Sequence, residues 1–270
     1  MNKKIKILFT IVLVISMFTV TGCDYGDKDY GVFIGAENDK ISTIMQYKTV
    51  VIEPTAFEES EIAFLKACGC TVYGYINIGS VKEYRDYYEE FEDITLDEYE
   101  GWPDEKWVDV SQSKWQDYVV DTIAAAYAEK GLDGFFVDNT DVYYQYQKPE
   151  IFLGLMNILQ GLRNYNIEVI INGGDTFVTE CIDDNIAANL FTGVNQESVF
   201  TAIDFENDTY VVQSEEDQAY FKEYLRKVSR AGLKVFVIEY HATGINWIKA
   251  RNYYNSKGYT WYNAQNKNLE

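Results

Sequence analysis

Short apolar, β-branched or aromatic runs recur along the chain at residues 30–34, 49–52, 71–78, 134–137, 168–171, 189–194, 234–240 and 259–262. Runs of this length, bounded by turn-forming residues, have the pattern of buried strands. Between them lie stretches with helical periodicity at 40–46, 58–67, 113–130, 149–163, 175–183, 215–231 and 246–255. Strands that alternate with helices pair in parallel through right-handed crossovers, and eight such units fit a closed α/β architecture, the (β/α)8 TIM barrel. An open doubly wound sheet is the structural alternative. No long Pro-, Gly- or Ser-rich linker interrupts the body, so residues 30–270 are expected to form one domain.

The polar residues that follow these runs carry the chemistry. In Gly131-Leu132-Asp133-Gly134-Phe135-Phe136-Val137-Asp138-Asn139-Thr140-Asp141 an apolar strand core empties into two carboxylates and an amide, with Tyr143, Tyr144 and Tyr146 behind them. A barrel enzyme gathers its site from the carboxyl ends of its strands. Residues at or just past the other runs are Glu53, Asn77 with Ser80, Asn172, Glu197, and Glu239 with His241. Carboxylates and amides dominate, an inventory suited to glycoside hydrolysis, and Tyr143 and Tyr262 are aromatic candidates for contact with sugar rings. Several of these residues have plainer readings too. Asp141 would cap a helix, Glu197 would sit at a helix amino terminus, and Glu239 would bind either a substrate amine or Lys249 or Arg251. Arg85 would orient a catalytic carboxylate or form a structural ion pair. Asp109 would support the site as a hydrogen-bond acceptor, and His241 would contact sugar or serve packing.

The first residues change the picture of location. Met1-Asn2-Lys3-Lys4-Ile5-Lys6 precedes an uncharged run up to Gly22 that is short for a bilayer span, the pattern of a secretory signal. Val20-Thr21-Gly22-Cys23 resembles a bacterial lipobox, which makes residues 1–22 a lipoprotein signal peptide, Cys23 the acylated residue and 23–29 a short tether. The expected address is the outer side of the bacterial membrane, with the membrane as partner through that anchor. Cys68, Cys70 and Cys181 read as small buried apolar residues, because Cys68-Gly69-Cys70 is too tight for an easy disulfide. With His241 the only histidine and no C-x-x-C pair, neither a zinc site nor any other metal or cofactor is expected. No G-x-S-x-G elbow, P-loop or dinucleotide glycine fingerprint occurs. The formal charge is −20, and loss of Lys3, Lys4 and Lys6 with the leader takes it to −23, so nucleic acid is an improbable partner. A monomer is expected. The acidic run 87–99 reads as a solvated loop or a negative substrate wall in the long third connection.

Three segments together resemble a known family. They are Tyr75-Ile76-Asn77-Ile78-Gly79-Ser80 with Glu83-Tyr84-Arg85, then Gly101-Trp102-Pro103-Asp104-Glu105-Lys106-Trp107-Val108-Asp109-Val110, then the stretch from Gly131 to Tyr143. With Asn195-Gln196-Glu197 and the run from Lys234 to Tyr240, they are similar to the endo-α-1,4-polygalactosaminidases of glycoside hydrolase family 114 over residues 49–240. Val81-Lys82 departs from a stretch expected to be more acidic or aromatic. The resemblance implies a secreted barrel that cleaves α-1,4-linked galactosamine polymers. It places Asp138 at the strand-4 catalytic aspartate and Glu197 at the strand-6 glutamate, with Asn139 and Asp141 holding sugar hydroxyls or an amino group. Asp138 would then act as nucleophile or base and Glu197 as acid. A noncatalytic carbohydrate-binding lipoprotein on the same barrel is the competing reading, and it requires the two carboxylates to lie far apart.

Overall fold

The computed structural model describes residues 28–270. Eight parallel strands form the central sheet: β1 (Lys28–Phe33), β2 (Tyr47–Ile52), β3 (Thr71–Asn77), β4 (Gly134–Asp138), β5 (Glu168–Asn172), β6 (Gly193–Glu197), β7 (Lys234–Tyr240) and β8 (Thr260–Ala264). Strand order follows chain order, and β8 lies against β1, which curls the sheet into a barrel rather than an open doubly wound sheet. The proposed leader, the acylated Cys23 and most of the tether lie outside the described residues. Among the described residues no helix is long and apolar enough to cross a membrane.

The long helices start where local chemistry favours them. Glu58 and Glu61 form a capping box at Glu59–Ala67, Pro149 opens Pro149–Arg163, and Ser214 accepts the backbone N–H of Asp217 (3.0 Å) at Glu215–Arg230. The crossover helix read at 113–130 runs from Ser113 to Glu129 with a π-type turn over Tyr118–Ala124. One boundary moves. Asn189 and Leu190, read as the start of a strand, close the short helix Ala187–Leu190, and β6 begins only at Gly193. Cys70 and Cys181 are buried, Cys68 is partly so, and none is in a disulfide.

Alternation along the strands creates two cores. Val50, Val72, Phe135, Val137, Val169, Val194 and Val237 face outward onto the helices. Tyr30, Val32, Val51, Tyr73, Phe136, Ile170, Phe236 and Ile238 fill the barrel interior. The inward parity that buries Phe136 also points Asp138 into the barrel mouth, and the parity that buries Phe236 and Ile238 carries Tyr240 inward and Glu239 outward.

Two connections carry sheets of their own that the hydrophobic pattern does not show. After β3, Ser80–Lys82, Glu105–Val108 and Thr95–Glu98 form a three-stranded antiparallel sheet. After β6, Thr201–Asp204 and Thr209–Val212 form a hairpin. The third connection approaches β4 at Gly79, where an added Cβ would lie 1.8 Å from the carbonyl oxygen of Asn139, so only glycine fits there.

Candidate active site

The carboxyl ends of β3 to β7 surround a cleft of about 340 Å³ lined by Asp138, Asn139, Asp141, Asn172 and Glu197. One amide organises it. The Asn172 Nδ2 donates to Asp138 Oδ1 (2.9 Å) and to Glu197 Oε1 (2.8 Å), so these two carboxylate oxygens are separated by at most the sum, 5.7 Å. Tyr75 donates to the other oxygen of Asp138 (2.9 Å), and Tyr240 to the other oxygen of Glu197 (2.6 Å). Behind them Tyr30 donates to Asn195 Oδ1 (3.1 Å) and Asn195 Nδ2 donates to Asn172 Oδ1 (2.7 Å). Because the Asn172 carbonyl is thus occupied from below, its amino group must face the carboxylates.

Burial, and next the negative charge of Glu197, push the Asp138 carboxyl up to about 6, while hydrogen bonds from Asn172 and Tyr75 pull the other way. Burial and then the charge of Asp138 push Asp141 up to about 7, opposed by the backbone N–H of Gly174, which donates to both Asp141 oxygens at 3.1 Å. Burial first, then Asp138 for Tyr75 and Glu197 for Tyr240, hold both phenols well above their ordinary value, so both remain proton donors.

Four successive strands end in the same backbone device. Asn139, Gly173, Ser198 and His241, each the residue after the last of β4, β5, β6 or β7, take left-handed φ angles of 67°, 65°, 60° and 51°. Turning the chain there sets Asp138, Glu197 and Tyr240 at the rim, and strain of this kind concentrates at functional sites.

The remaining sequence candidates divide. Asn139 lines the cleft and donates to Ser80 Oγ (2.7 Å) and Glu105 Oε1 (3.2 Å). Asn77 is tied to the same Ser80 (2.7 Å) and Glu105 (2.9 Å) and braces the third connection instead of lining the cleft. Tyr143 packs among Phe152 and Phe177 and donates to Glu180 (2.7 Å), and Tyr262 packs on Phe33 and Tyr47; both lie away from the cleft. Glu239 is fully buried on the outer face of β7. It accepts from the backbone N–H groups of Phe200 and Thr201, from the Thr201 hydroxyl (2.6 Å) and from the Tyr254 hydroxyl, and pairs with neither Lys249 nor Arg251. The exposed His241 holds a turn, donating its backbone N–H to Ala264 (2.8 Å) and resting its ring near Tyr210. Arg85 bonds Glu53 (3.0 Å), the structural ion pair of the two readings, and Asp109 accepts from Ser111 and Gln112 beside the following helix. Sequence reasoning passed over Tyr75, Tyr240, Glu105, Lys82, Trp102, Gln196, Phe205 and Lys267 as cleft residues. The signal for the two tyrosines was present, since Tyr75 and Tyr240 have the inward parity of their strands. Among the described residues no group of three or more His, Cys, Asp or Glu side chains is arranged to hold a metal ion.

The description "Glycoside-hydrolase family GH114" matches residues 28–269, beyond both ends of the 49–240 stretch that carried the resemblance. The chain belongs to this family. It is a glycoside hydrolase on a (β/α)8 barrel. The GH114 chain resembles the glycoside hydrolase domain of PelA from Pseudomonas aeruginosa, with a TM-score of 0.75 at 19% identity over 89% of this chain and 95% of that one. It resembles Aspergillus fumigatus Ega3, solved in complex with galactosamine, with a TM-score of 0.68 at 18% identity over 90% and 92% of the two chains. The α-galactosidase TtGalA from Thermus thermophilus, solved with p-nitrophenyl α-D-galactopyranoside, matches with a TM-score of 0.57 at 8% identity over 87% of this chain and 57% of that one. No curated protein matches the chain in sequence.

Proposed function

We propose that this GH114 enzyme cleaves an α-1,4-linked, galactosamine-containing polysaccharide with retention of anomeric configuration, using Asp138 and Glu197. The observation that carries the reading is the single Asn172 amide shared by both carboxylates, which keeps the bonded oxygens within 5.7 Å. Retaining glycosidases hold their carboxyl groups roughly 5–5.5 Å apart, inverting ones roughly 6.5–9.5 Å, because inversion needs room for a water molecule. The same closeness removes the ground for a binding-only barrel. The galactosamine bound to Ega3 and the galactoside bound to TtGalA support a galacto-configured substrate.

In the first step Glu197 protonates the leaving glycosidic oxygen as an Asp138 oxygen bonds to the anomeric carbon, and the glycosidic C–O bond breaks. In the second, Glu197 takes a proton from water, the water oxygen bonds to that carbon, and Asp138 leaves as a carboxylate. Tyr75 steadies the attacking group, and Asn172 ties it to its partner throughout. Asp138→Asn and Glu197→Gln are each expected to lower turnover by roughly 10³-fold or more with folding retained. Proton NMR of fresh products from a galactosamine oligomer should show the α-anomer first; an initial β-anomer, or activity surviving either substitution, would reject the assignment.

The lipobox-like Val20-Thr21-Gly22-Cys23 supports the further reading of a surface lipoprotein anchored through Cys23. In cell fractions the wild type should pellet with membranes and Cys23→Ser should be released, whereas a fully soluble wild type would refute the anchor.

A further inference from the structure

A third buried carboxylate stands beside the hydrolytic pair, and the two hydrolytic steps give it no task. Glu105 opens the strand Glu105–Val108 of the accessory sheet after β3, is only 4% exposed and lines the same cleft as Asp138. Burying a carboxylate is costly unless its oxygens are met by donors. Glu105 Oε1 accepts from the Ser80 hydroxyl, from Asn77 Nδ2 (2.9 Å) and from Asn139 Nδ2 (3.2 Å), while Oε2 lies 3.7 Å from the Lys82 ammonium.

Those donors come from the ends of two neighbouring barrel strands. Asn77 is the last residue of β3 and stands opposite Asp138 in the register of β3 and β4, and Asn139 is the first residue beyond β4. Ser80 collects them, its oxygen accepting from Asn77 Nδ2 and Asn139 Nδ2, both at 2.7 Å, while its hydroxyl donates to Glu105. Asn139 holds a left-handed φ of 67°, a conformation that persists only where the surroundings hold it. Its carbonyl lies against Gly79, and the Gly79 carbonyl accepts the backbone N–H of Val108 (2.9 Å) from the accessory sheet. Side chain and backbone of Asn139 are therefore both gripped from that sheet.

We propose that Glu105 is a positioning residue for the hydrolytic pair: reaching in from the accessory sheet, it clamps Asn77, Ser80 and Asn139 together and so fixes the turn that aims Asp138. The proposal rests on the reading of Asp138 and Glu197 as that pair. An ionised oxygen holds its three donors more tightly than a neutral one. Its charge acts as well. Round the cleft Asp138 faces Tyr75, Glu197, Tyr240, Asp141, Tyr99 and Lys82 besides Glu105. Burial and Glu197 do most to raise the Asp138 carboxyl, and the Glu105 charge adds to them. The accessory sheet thus sets both where Asp138 stands and how readily the pair keeps its proton.

The test follows the wild type, Glu105→Gln, Glu105→Ala, Asn139→Gly and the double variant Glu105→Ala/Asn139→Gly on a galactosamine oligomer, reading kcat, KM, the pH–rate profile and Tm. Glu105→Ala opens the clamp, so kcat should fall roughly 10²-fold with KM changed far less, because a displacement of about 1 Å is enough for a loss of that size. Glu105→Gln keeps an acceptor for the three donors, so kcat should stay within roughly tenfold of the wild type, while the alkaline limb of the profile moves to lower pH because a negative charge beside Asp138 is gone. Asn139→Gly tolerates the left-handed turn but cuts its tie to Glu105, so it should lose about as much kcat as Glu105→Ala, and the double variant no more than either alone. Losses that multiply in the double variant, or a lowered Tm with kcat and the limb unchanged in the Glu105 variants, would make Glu105 a support of the fold alone and overturn the proposal. If Glu105→Ala does not fold, the limb in Glu105→Gln and kcat in Asn139→Gly decide, and both unchanged overturns it. Turnover that survives Asp138→Asn is the separate result that removes the pair itself.

Discussion

Asn172 holds two acids together that would otherwise repel, and its position makes the pH response of the enzyme a test of how they share a proton. The reaction needs one proton on the pair, for the leaving oxygen, and one negative charge, for the attack. Burial and the Glu197 charge push Asp138 up to about 6, so above that value both carboxylates are ionised and kcat/KM should fall roughly tenfold per pH unit on the alkaline side. The Asn172 hydrogen bond lowers the Asp138 value, so Asn172→Ala should shift that limb to higher pH. A pH–rate profile on a galactosamine oligomer checks both, and activity that stays flat above pH 6 would exclude a pair working with one shared proton. The pair itself was legible in the sequence, because polar residues closing apolar strands stand out. Its supports were less so. Tyr75 and Tyr240 look like any strand aromatic until parity is counted from Asp138 and from Ile238, and nothing local marks Asn195, at the centre of β6, as the group that orients Asn172.

Among elements, the barrel strands and the longer helices were readable because each buries a full apolar face. The sheets of the third and sixth connections were not, since strands such as Thr95–Glu98 are short, mixed in polarity and set by pairing within their own connection. Glu239 shows what a strand-end reading misses. It ends an apolar run as Asp138 does, yet one residue of register puts it on the opposite face of the sheet. There it holds Phe200 and Thr201, three and four residues after Glu197, onto the last helix through Tyr254. Glu239→Leu would strand two backbone N–H groups and two hydroxyls, at roughly 1–3 kcal/mol each where no other acceptor is found. The hydroxyls can turn to other acceptors but the two N–H groups cannot, so about 2–6 kcal/mol, or roughly 10 °C in Tm at 2–4 °C per kcal/mol, is the expected loss. Turnover should fall with it, because the turn beyond Glu197 loses its clamp. Calorimetry checks this, and Glu239→Gln, which keeps a carbonyl acceptor, should lose less; a variant of unchanged Tm with only KM raised would return Glu239 to substrate binding.

For the whole molecule, charge and cleft act in the same direction. The chain carries −20, and the cleft lining holds Asp138, Asp141, Glu197 and Glu105 against Lys82 and Lys267. Each lysine is already matched, Lys82 by Glu105 and Lys267 by Asp208, so the field at the mouth remains negative. Composition alone indicated a negative body, but the two lysines were hidden from it because their cleft positions depend on the accessory sheet and on the final residues folding back over the barrel. A galactosamine unit with a free protonated amine should therefore be drawn in, whereas its acetylated form loses that charge. Asp141, pushed up to about 7, adds its negative charge as pH rises through that value, so the attraction should be weaker at pH 6 than at pH 7. Much of it acts through solvent, and the Debye length falls from about 10 Å at 0.1 M salt to about 3 Å at 1 M. KM for a deacetylated oligomer should therefore rise several-fold between those salts, while KM for the matched acetylated oligomer barely moves. Equal salt responses for the two oligomers, or tighter binding of the acetylated one at low salt, would show that the acidic body keeps the protein soluble and that ring shape alone selects the substrate.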